Sequence, residues 1–249
     1  MLKKRIIPVE LLHHGRLVKT VKFGEFRDVG DPLKSSQVYS DQDADELVLL
    51  NITQNIKETA EYLAEITKKC FMPIAAGGGV KTIEDAEILF KSGADKVIVN
   101  TAAYSNPSLL HGIIDRWGSQ SLIVSVDVSQ ISDKSYEAKS NCGKTIEEKD
   151  LMQHIKSVSE IGAGEIIINS IDNDGVMKGY DLILIKKILS ICNIPLIACG
   201  GAGSFDDLKD VFELGVSAAA CGSLFNFGDN NPLRAKAFLK NYDIPLKNI

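Results

Sequence analysis

Short runs of aliphatic and β-branched residues recur along the chain and alternate with stretches of helical spacing. The apolar runs lie at 5–9, 46–50, 73–76, 96–100, 122–128, 165–169, 195–199 and 218–222. Between them, Leu151, Ile155, Val158 and Ile161 share one helical face. Ile83, Ala86 and Phe90 do the same after Thr82, an N-cap candidate with Asp85 where a capping box prefers Glu or Gln. Helical stretches stop at Gly93, Gly162 and Gly215, each soon followed by a strand. Strands separated by helices predict βαβ units, and eight such units in 249 residues suit a closed (β/α)8 TIM barrel. No Pro- or Ser-rich linker divides residues 1–249, so a single domain is expected; an open doubly wound sheet is the alternative.

Internal repetition favours the barrel. Residues 75–101 and 198–223 share the order strand, glycine pair, helix, glycine stop, strand and polar end, as expected of two similar half-barrels. Gly77-Gly78-Gly79 and Gly200-Gly201-Ala202-Gly203 each follow a strand and precede a helix, the arrangement that lets backbone N–H groups approach an anion. Asn100-Thr101 and Gly222-Ser223 close the following strands and can complete each cradle, with Asp174-Gly175 beside the second. Gly79, Asn100, Thr101, Gly201, Gly222, Ser223, Asp174 and Gly175 are therefore candidate phosphate- or substrate-binding residues. Two cradles imply a small molecule with two phosphate-like ends.

Charge and cysteine usage narrow the partners. Lys plus Arg is 28 and Asp plus Glu is 33, a net charge of −5 that leaves no electrostatic footprint for nucleic acid. Five cysteines, with no C-x-x-C pair, suit a reduced cytosol and offer no zinc pattern. No run of about 18 apolar residues suggests a membrane span, and the opening MLKKRIIPVELLHH has too short an apolar stretch for a signal peptide. A cytoplasmic protein without metal or cofactor is expected.

The segments KRII, GRLVK (15–19), FRDVGDP (26–32), DELVLLNIT (45–53), GADKVIVNTAA (93–103), NPSL (106–109), GAGEIIINSIDNDG (162–175), GYD (179–181) and GGAG (200–203) together resemble the HisF family, the cyclase subunit of imidazole glycerol phosphate synthase. The resemblance runs in order over nearly the whole chain; the related HisA family shares the half-barrel repeat but fits the first and sixth strands less well. It implies a HisH-type glutaminase that releases ammonia at the barrel's base, and transit of that ammonia through the barrel core to a bound acceptor. It assigns Arg5, Glu46, Lys96 and Glu165 to a basal charged gate and Asp95 to docking of the glutaminase. Four inward charges are costly unless paired or open to water.

The resemblance also assigns two catalytic Asp to the mouth. Asp127, after SLIVSV, matches one and can exchange a proton. Leu11 stands at the other and cannot. Glu10 is adjacent, but strand alternation turns it outward unless a bulge intervenes; His13 and His14 begin the following loop and are further stand-ins. Asn51 replaces an acid and is retained as a substrate-binding candidate, while Val176 and Cys199 replace a Thr and a Ser common in relatives. The expected function is thus a HisF-type paralog that uses ammonia on a non-histidine phosphorylated acceptor, such as a nucleotide sugar of surface-polysaccharide synthesis. The alternatives are imidazole glycerol phosphate synthesis, a non-catalytic activator of the glutaminase, and a HisA-like isomerase. Residues 17–30 are expected to form a mobile lid whose Lys19 reaches a phosphate, 129–144 a small hairpin, and 231–249 a closing helix and tail.

Overall fold

Alternating backbone pairing closes eight strands into a ring in the computed structural model, which describes residues 3–133 and 135–247. The strands are β1 (Arg5–His13), β2 (Arg16–Thr20), β3 (Phe26–Gly30), β4 (Leu47–Asn51), β5 (Ile74–Gly77), β6 (Lys96–Val99), β7 (Leu122–Ser132), β8 (Ser135–Ser140), β9 (Thr145–Ile146), β10 (Glu165–Ser170), β11 (Leu196–Cys199) and β12 (Ala218–Cys221). Parallel pairing runs β1–β4–β5–β6–β7–β10–β11–β12 and returns to β1. Helices α1 (Pro32–Asp41), α2 (Ile56–Ile66), α3 (Ile83–Lys91), α4 (Thr101–Ser105), α5 (Pro107–Trp117), α6 (Leu151–Ile161), α7 (Leu182–Leu189), α8 (Phe205–Glu213), α9 (Ser223–Asn226) and α10 (Pro232–Leu239) lie between and after them. The (β/α)8 expectation is met.

Strand alternation splits the apolar residues into two clusters. One set faces the helices and includes Ile6, Leu12, Leu47, Leu49, Val97 and Ile166. The other faces the axis and comprises Ile7, Val9, Val48, Ala75, Ile98, Ile123, Ile167, Ile197, Ala218 and Ala220, with Leu11, Leu50 and Cys199 partly buried against it. The half-barrel repeat reappears in the helix starts. Thr82 with Asp85, and Ser204 with Asp207, form reciprocal capping boxes before α3 and α8. Asp fills the role despite its shorter side chain.

Two additions decorate the mouth. β1 runs past its expected end to His13 and folds back through β2 onto β3. Residues 17–30 are therefore a paired hairpin and not the expected free loop. β7 likewise extends into the β8–β9 hairpin, in the region expected to form one. At the other end, Lys4 N–H donates to Pro245 O at 2.8 Å and Leu246 is buried, so the chain's end packs beside β1; the expected tail's last two residues lie outside the described ones. No described helix is long and apolar enough to cross a membrane.

Candidate active site

At the basal ends of the strands, four charges alternate around the axis. Arg5 pairs with both Glu46 and Glu165. Lys96 Nζ lies 2.9 Å from Glu46 Oε1 and 2.7 Å from Glu165 Oε1. The ring is self-neutralising, which is what makes four inward charges tolerable at this depth. Burial pushes the Glu165 carboxyl up, but the guanidinium of Arg5 and the ammonium of Lys96 outweigh it and hold it below the usual carboxylate range. Asp95 precedes Lys96 and is exposed, yet its Oδ2 accepts the N–H of Ile74 at 2.8 Å, so half the carboxylate already caps a strand.

Above the ring the axis is packed. Ile7, Ile123, Ile197, Ala75 and Ala218 have essentially no exposure. An open tube through the core is thus not present in this conformation. The cavity begins over that layer, has a volume of about 400 Å³, and reaches from Val9, Val48, Ile98, Ile167 and Ala220 up to the loops. Asp127, on β7, faces it. Asn100 Nδ2 donates to Asp127 Oδ2 at 2.8 Å, and Asn169 lies opposite Asp127 in the β7–β10 register. Burial pushes the Asp127 carboxyl up to about 7, beyond the opposing pull of the Asn100 and Asn169 hydrogen bonds, with the Asp174 charge adding to the rise. A buried carboxyl poised there can hold or release a proton near neutral pH. Cys199 also lines the cavity, but burial raises its thiol to about 12, so it stays protonated and weakly nucleophilic.

Leu11 is in the cavity wall beside Leu50, its register partner on β4. Glu10 is not. It lies on the outer face of β1, buried against α1, where Ser36 Oγ donates to its Oε2 at 2.8 Å. Burial raises this carboxyl to about 8. His13 returns to the cavity side, its ring tilted against that of Phe26 with centroids 4.4 Å apart. His14 sits in the turn with φ of 47°. Alternation continued from Arg5 through Leu11 to His13 is the signal that places His13; reading β1 as ending at Val9 missed it.

The glycine loops approach other backbones more closely than a side chain permits. A Cβ on Gly79 would lie 2.6 Å from Gln54 O, and one on Gly201 would lie 2.1 Å from Gly179 O; both residues have φ above 100°. Both glycines line the cavity with Asn100, Thr101, Gly175, Gly222 and Ser223. The buried Ser223 Oγ and Asn100 Oδ1 have no protein partner. Thr101 Oγ1 accepts the N–H of Asn141 at 3.1 Å, tying the β8–β9 hairpin to this rim.

Three of the expected ligand-binding residues line the cavity and also bond within the protein. Lys19 is buried and its Nζ lies 2.6 Å from Asp174 Oδ1, while Thr20 Oγ1 donates to Asp174 Oδ2 at 2.7 Å. Lys19 is therefore fixed over Gly222 in a strand and does not swing on a free lid. Asp174, each oxygen accepting one of these hydrogen bonds, positions that ammonium at the cavity wall. Asn51 is fully buried in the turn before α2: its Nδ2 donates to Asn55 O and Glu58 Oε2, and its Oδ1 accepts from Thr53. Its amide holds the turn, at the edge of the cavity.

A family-wide sequence profile described as "Histidine biosynthesis protein" matches residues 5–231. The chain is 44% identical over 231 residues to the "Putative imidazole glycerol phosphate synthase subunit hisF2" of Pseudomonas aeruginosa, covering 91% of this chain and 92% of that one. It is 39% identical over 249 residues to the "Imidazole glycerol phosphate synthase subunit HisF" of Helicobacter hepaticus, with 99% of each covered. The HisF subunit of Pyrococcus furiosus is 36% identical, again with 99% of each chain covered. With the barrel, the basal ring and the mouth residues in place, this chain belongs to the histidine biosynthesis protein family, in its HisF branch.

Proposed function

We propose that this chain is the ammonia-using synthase subunit of a glutamine amidotransferase pair, acting on a phosphorylated acceptor outside the histidine pathway. A nucleotide sugar of surface-polysaccharide synthesis fits the chemistry, because its phosphates suit the glycine loops. A HisH-type glutaminase supplies the ammonia, and the pair works in the cytoplasm. The observation that carries the reading is Leu11: the mouth keeps Asp127 and both glycine loops, but an aliphatic side chain stands where the family resemblance puts a second carboxylate. Proton transfer by one positioned group is worth roughly 10² to 10⁴ in rate, so histidine-type cyclisation is impaired while nitrogen delivery is not.

Ammonia enters at the charged ring and rises along an aliphatic axis. Its passage needs rotamer motion of Ile7, Ile123 and Ile197, past the small Ala75, Ala218 and Ala220. Asp127 then takes or gives the proton as nitrogen attacks the acceptor, and Lys19, held by Asp174, neutralises one anionic end.

The test supplies the histidine-pathway ribonucleotide with ammonium salt and measures imidazole glycerol phosphate. Turnover at least about 100-fold below that of a HisF bearing both Asp is expected; turnover near that level refutes the reading. A panel of nucleotide sugars, assayed for an amidino product by mass, then identifies the acceptor. A second reading, ordinary imidazole glycerol phosphate synthesis, draws support from His13, which shares the cavity face with Leu11. The same assay decides between them.

A further inference from the structure

We infer that Phe71 is the aromatic anchor by which the basal face of this barrel engages its glutaminase, and that it sets which glutaminase the chain accepts. The inference rests on the reading that such a partner exists. Phe71 is 92% exposed, far above any other large apolar side chain described here, the next being Ile131 at 62%. Most isolated apolar residues on a surface need no explanation, but this one is held in place. It stands between Cys70 and Met72, both buried, so the loop from α2 to β5 is pinned on each side while the ring projects outward. The Phe71 N–H donates to Ser40 Oγ at 3.4 Å. A rigidly presented aromatic loses little freedom on docking, which is why such side chains dominate interface energetics.

Its location selects the occupant. Two residues on, Pro73 is exposed and its carbonyl accepts the N–H of Leu47 at 2.9 Å, next to Glu46 of the ring. Ile74 exchanges two hydrogen bonds with Asp95: its N–H donates to Asp95 Oδ2, and its carbonyl accepts from Asp95 N–H at 2.9 Å. Asp95 in turn precedes Lys96 of the ring. Phe71, Pro73 and the exposed Asp95 therefore form one continuous corner abutting the strand starts that carry Glu46 and Lys96. A partner that delivers ammonia at the ring must cover this corner, offering an apolar pocket for the ring of Phe71 and a cation for the free oxygen of Asp95. A second copy of this chain seated on this corner would cover the ring and leave no room for a partner delivering ammonia there, so self-association is the competing occupant that the experiment separates.

The experiment titrates the full chain into the HisH-type glutaminase of the same organism by calorimetry and follows its glutamine hydrolysis. Phe71→Ser is expected to weaken association at least tenfold and to raise by the same factor the concentration needed to stimulate the glutaminase, with melting temperature unchanged. Phe227→Ser, beyond the mouth end of β12, serves as control and is expected to bind as the unsubstituted chain does. If the unsubstituted chain binds and Phe71→Ser binds within twofold of it, the anchor is refuted alone. If the unsubstituted chain forms no complex, both the anchor and the glutaminase reading are refuted. If sedimentation shows the chain to be a dimer that Phe71→Ser dissolves, the corner belongs to self-association and the inference is overturned.

Discussion

Arg5→Met tests the basal ring most directly. In the native ring two carboxylates share a guanidinium and an ammonium. Removing Arg5 leaves Glu46 and Glu165 to divide Lys96. Their side chains are only 2% and 11% exposed, so water replaces the guanidinium poorly. Breaking a buried pair from one side costs about 3–5 kcal/mol. The 22% exposure of Arg5 and the surviving Lys96 contacts reduce that to about 2–4 kcal/mol at pH 7. The pH dependence supplies an independent check. Burial raises the Glu165 carboxyl, but the Arg5 and Lys96 contacts lower it by more, for a net depression. A depressed carboxyl contributes stability that is present above its unfolded pKa and lost as pH falls through the folded one. In Arg5→Met that depression is weakened, so the gap between the two proteins is widest near neutrality and narrows below about pH 4.5. Urea denaturation followed by the fluorescence of Trp117, the chain's one tryptophan, at pH 7 and pH 4 measures both quantities. A loss under about 1 kcal/mol at pH 7, or a gap that widens in acid, would show that the ring is not an interdependent buried network.

Three further variants probe the mouth and its surroundings, and a fourth, Gly215→Ala, serves as a comparison. Leu11→Asp is expected to raise imidazole glycerol phosphate formation from the histidine-pathway ribonucleotide by about 10² or more; no gain in a folded variant would locate the departure elsewhere. Glu10→Gln should match the native chain in stability at pH 4 and exceed it by about 2–4 kcal/mol above pH 8. Burial lifts the native carboxyl to about 8, so its ionisation costs stability as pH rises through the interval between the unfolded and folded values; an advantage confined to acid would reverse the argument. Gly201→Ala, whose Cβ would meet Gly179 O at 2.1 Å, is expected to cost at least about 3 kcal/mol. Gly215→Ala, with φ of +109° and no atom within 4 Å of its Cβ, is expected to cost about 1–2 kcal/mol. Equal losses in thermal or chemical denaturation would mean that backbone conformation alone, and not close approach, governs the second cradle.

How far the molecule was legible depended on the range of the interaction involved. Hydrophobic periodicity and the glycine stops are local, and they placed the barrel strands to within a residue or two except where β1 and β7 run on into hairpins. Alternation also put Glu10 on the outer face, where it meets Ser36. The β2–β3 hairpin escaped notice because its pairing, Lys19 with Arg27 and Thr20 with Phe26, depends on a register that composition does not encode. Asn51 carries a structural role that its position alone does not reveal. Its position at a strand end suggested a ligand, but Asn also holds turns, and Thr53, Asn55 and Glu58 all lie within reach of its amide. The partner of Lys19 was not legible, because Asp174, which holds its ammonium, lies 155 residues away.

The cavity has an aliphatic floor of Val9, Val48, Ile98, Ile167 and Ala220; above it Leu11 and Leu50 line the β1–β4 side, while Asn100, Asp127 and Asn169 line the β6–β7–β10 side. Of the carboxylates lining the cavity among the described residues, Asp174 is held by Lys19 and Thr20, which leaves Asp127 as the one able to exchange a proton. Chemistry that passes protons between two opposed carboxylates has only half its apparatus here. In the proposed reaction ammonia adds to an acceptor carbonyl and the oxygen leaves as water, carrying two protons from the nitrogen. Asp127, partly ionised near pH 7, can accept a proton from the nitrogen and return it to the departing oxygen, so one carboxyl can serve both transfers. The aliphatic lining would limit bulk water in that step, water being both a competing nucleophile and a source of protons that convert ammonia to unreactive ammonium.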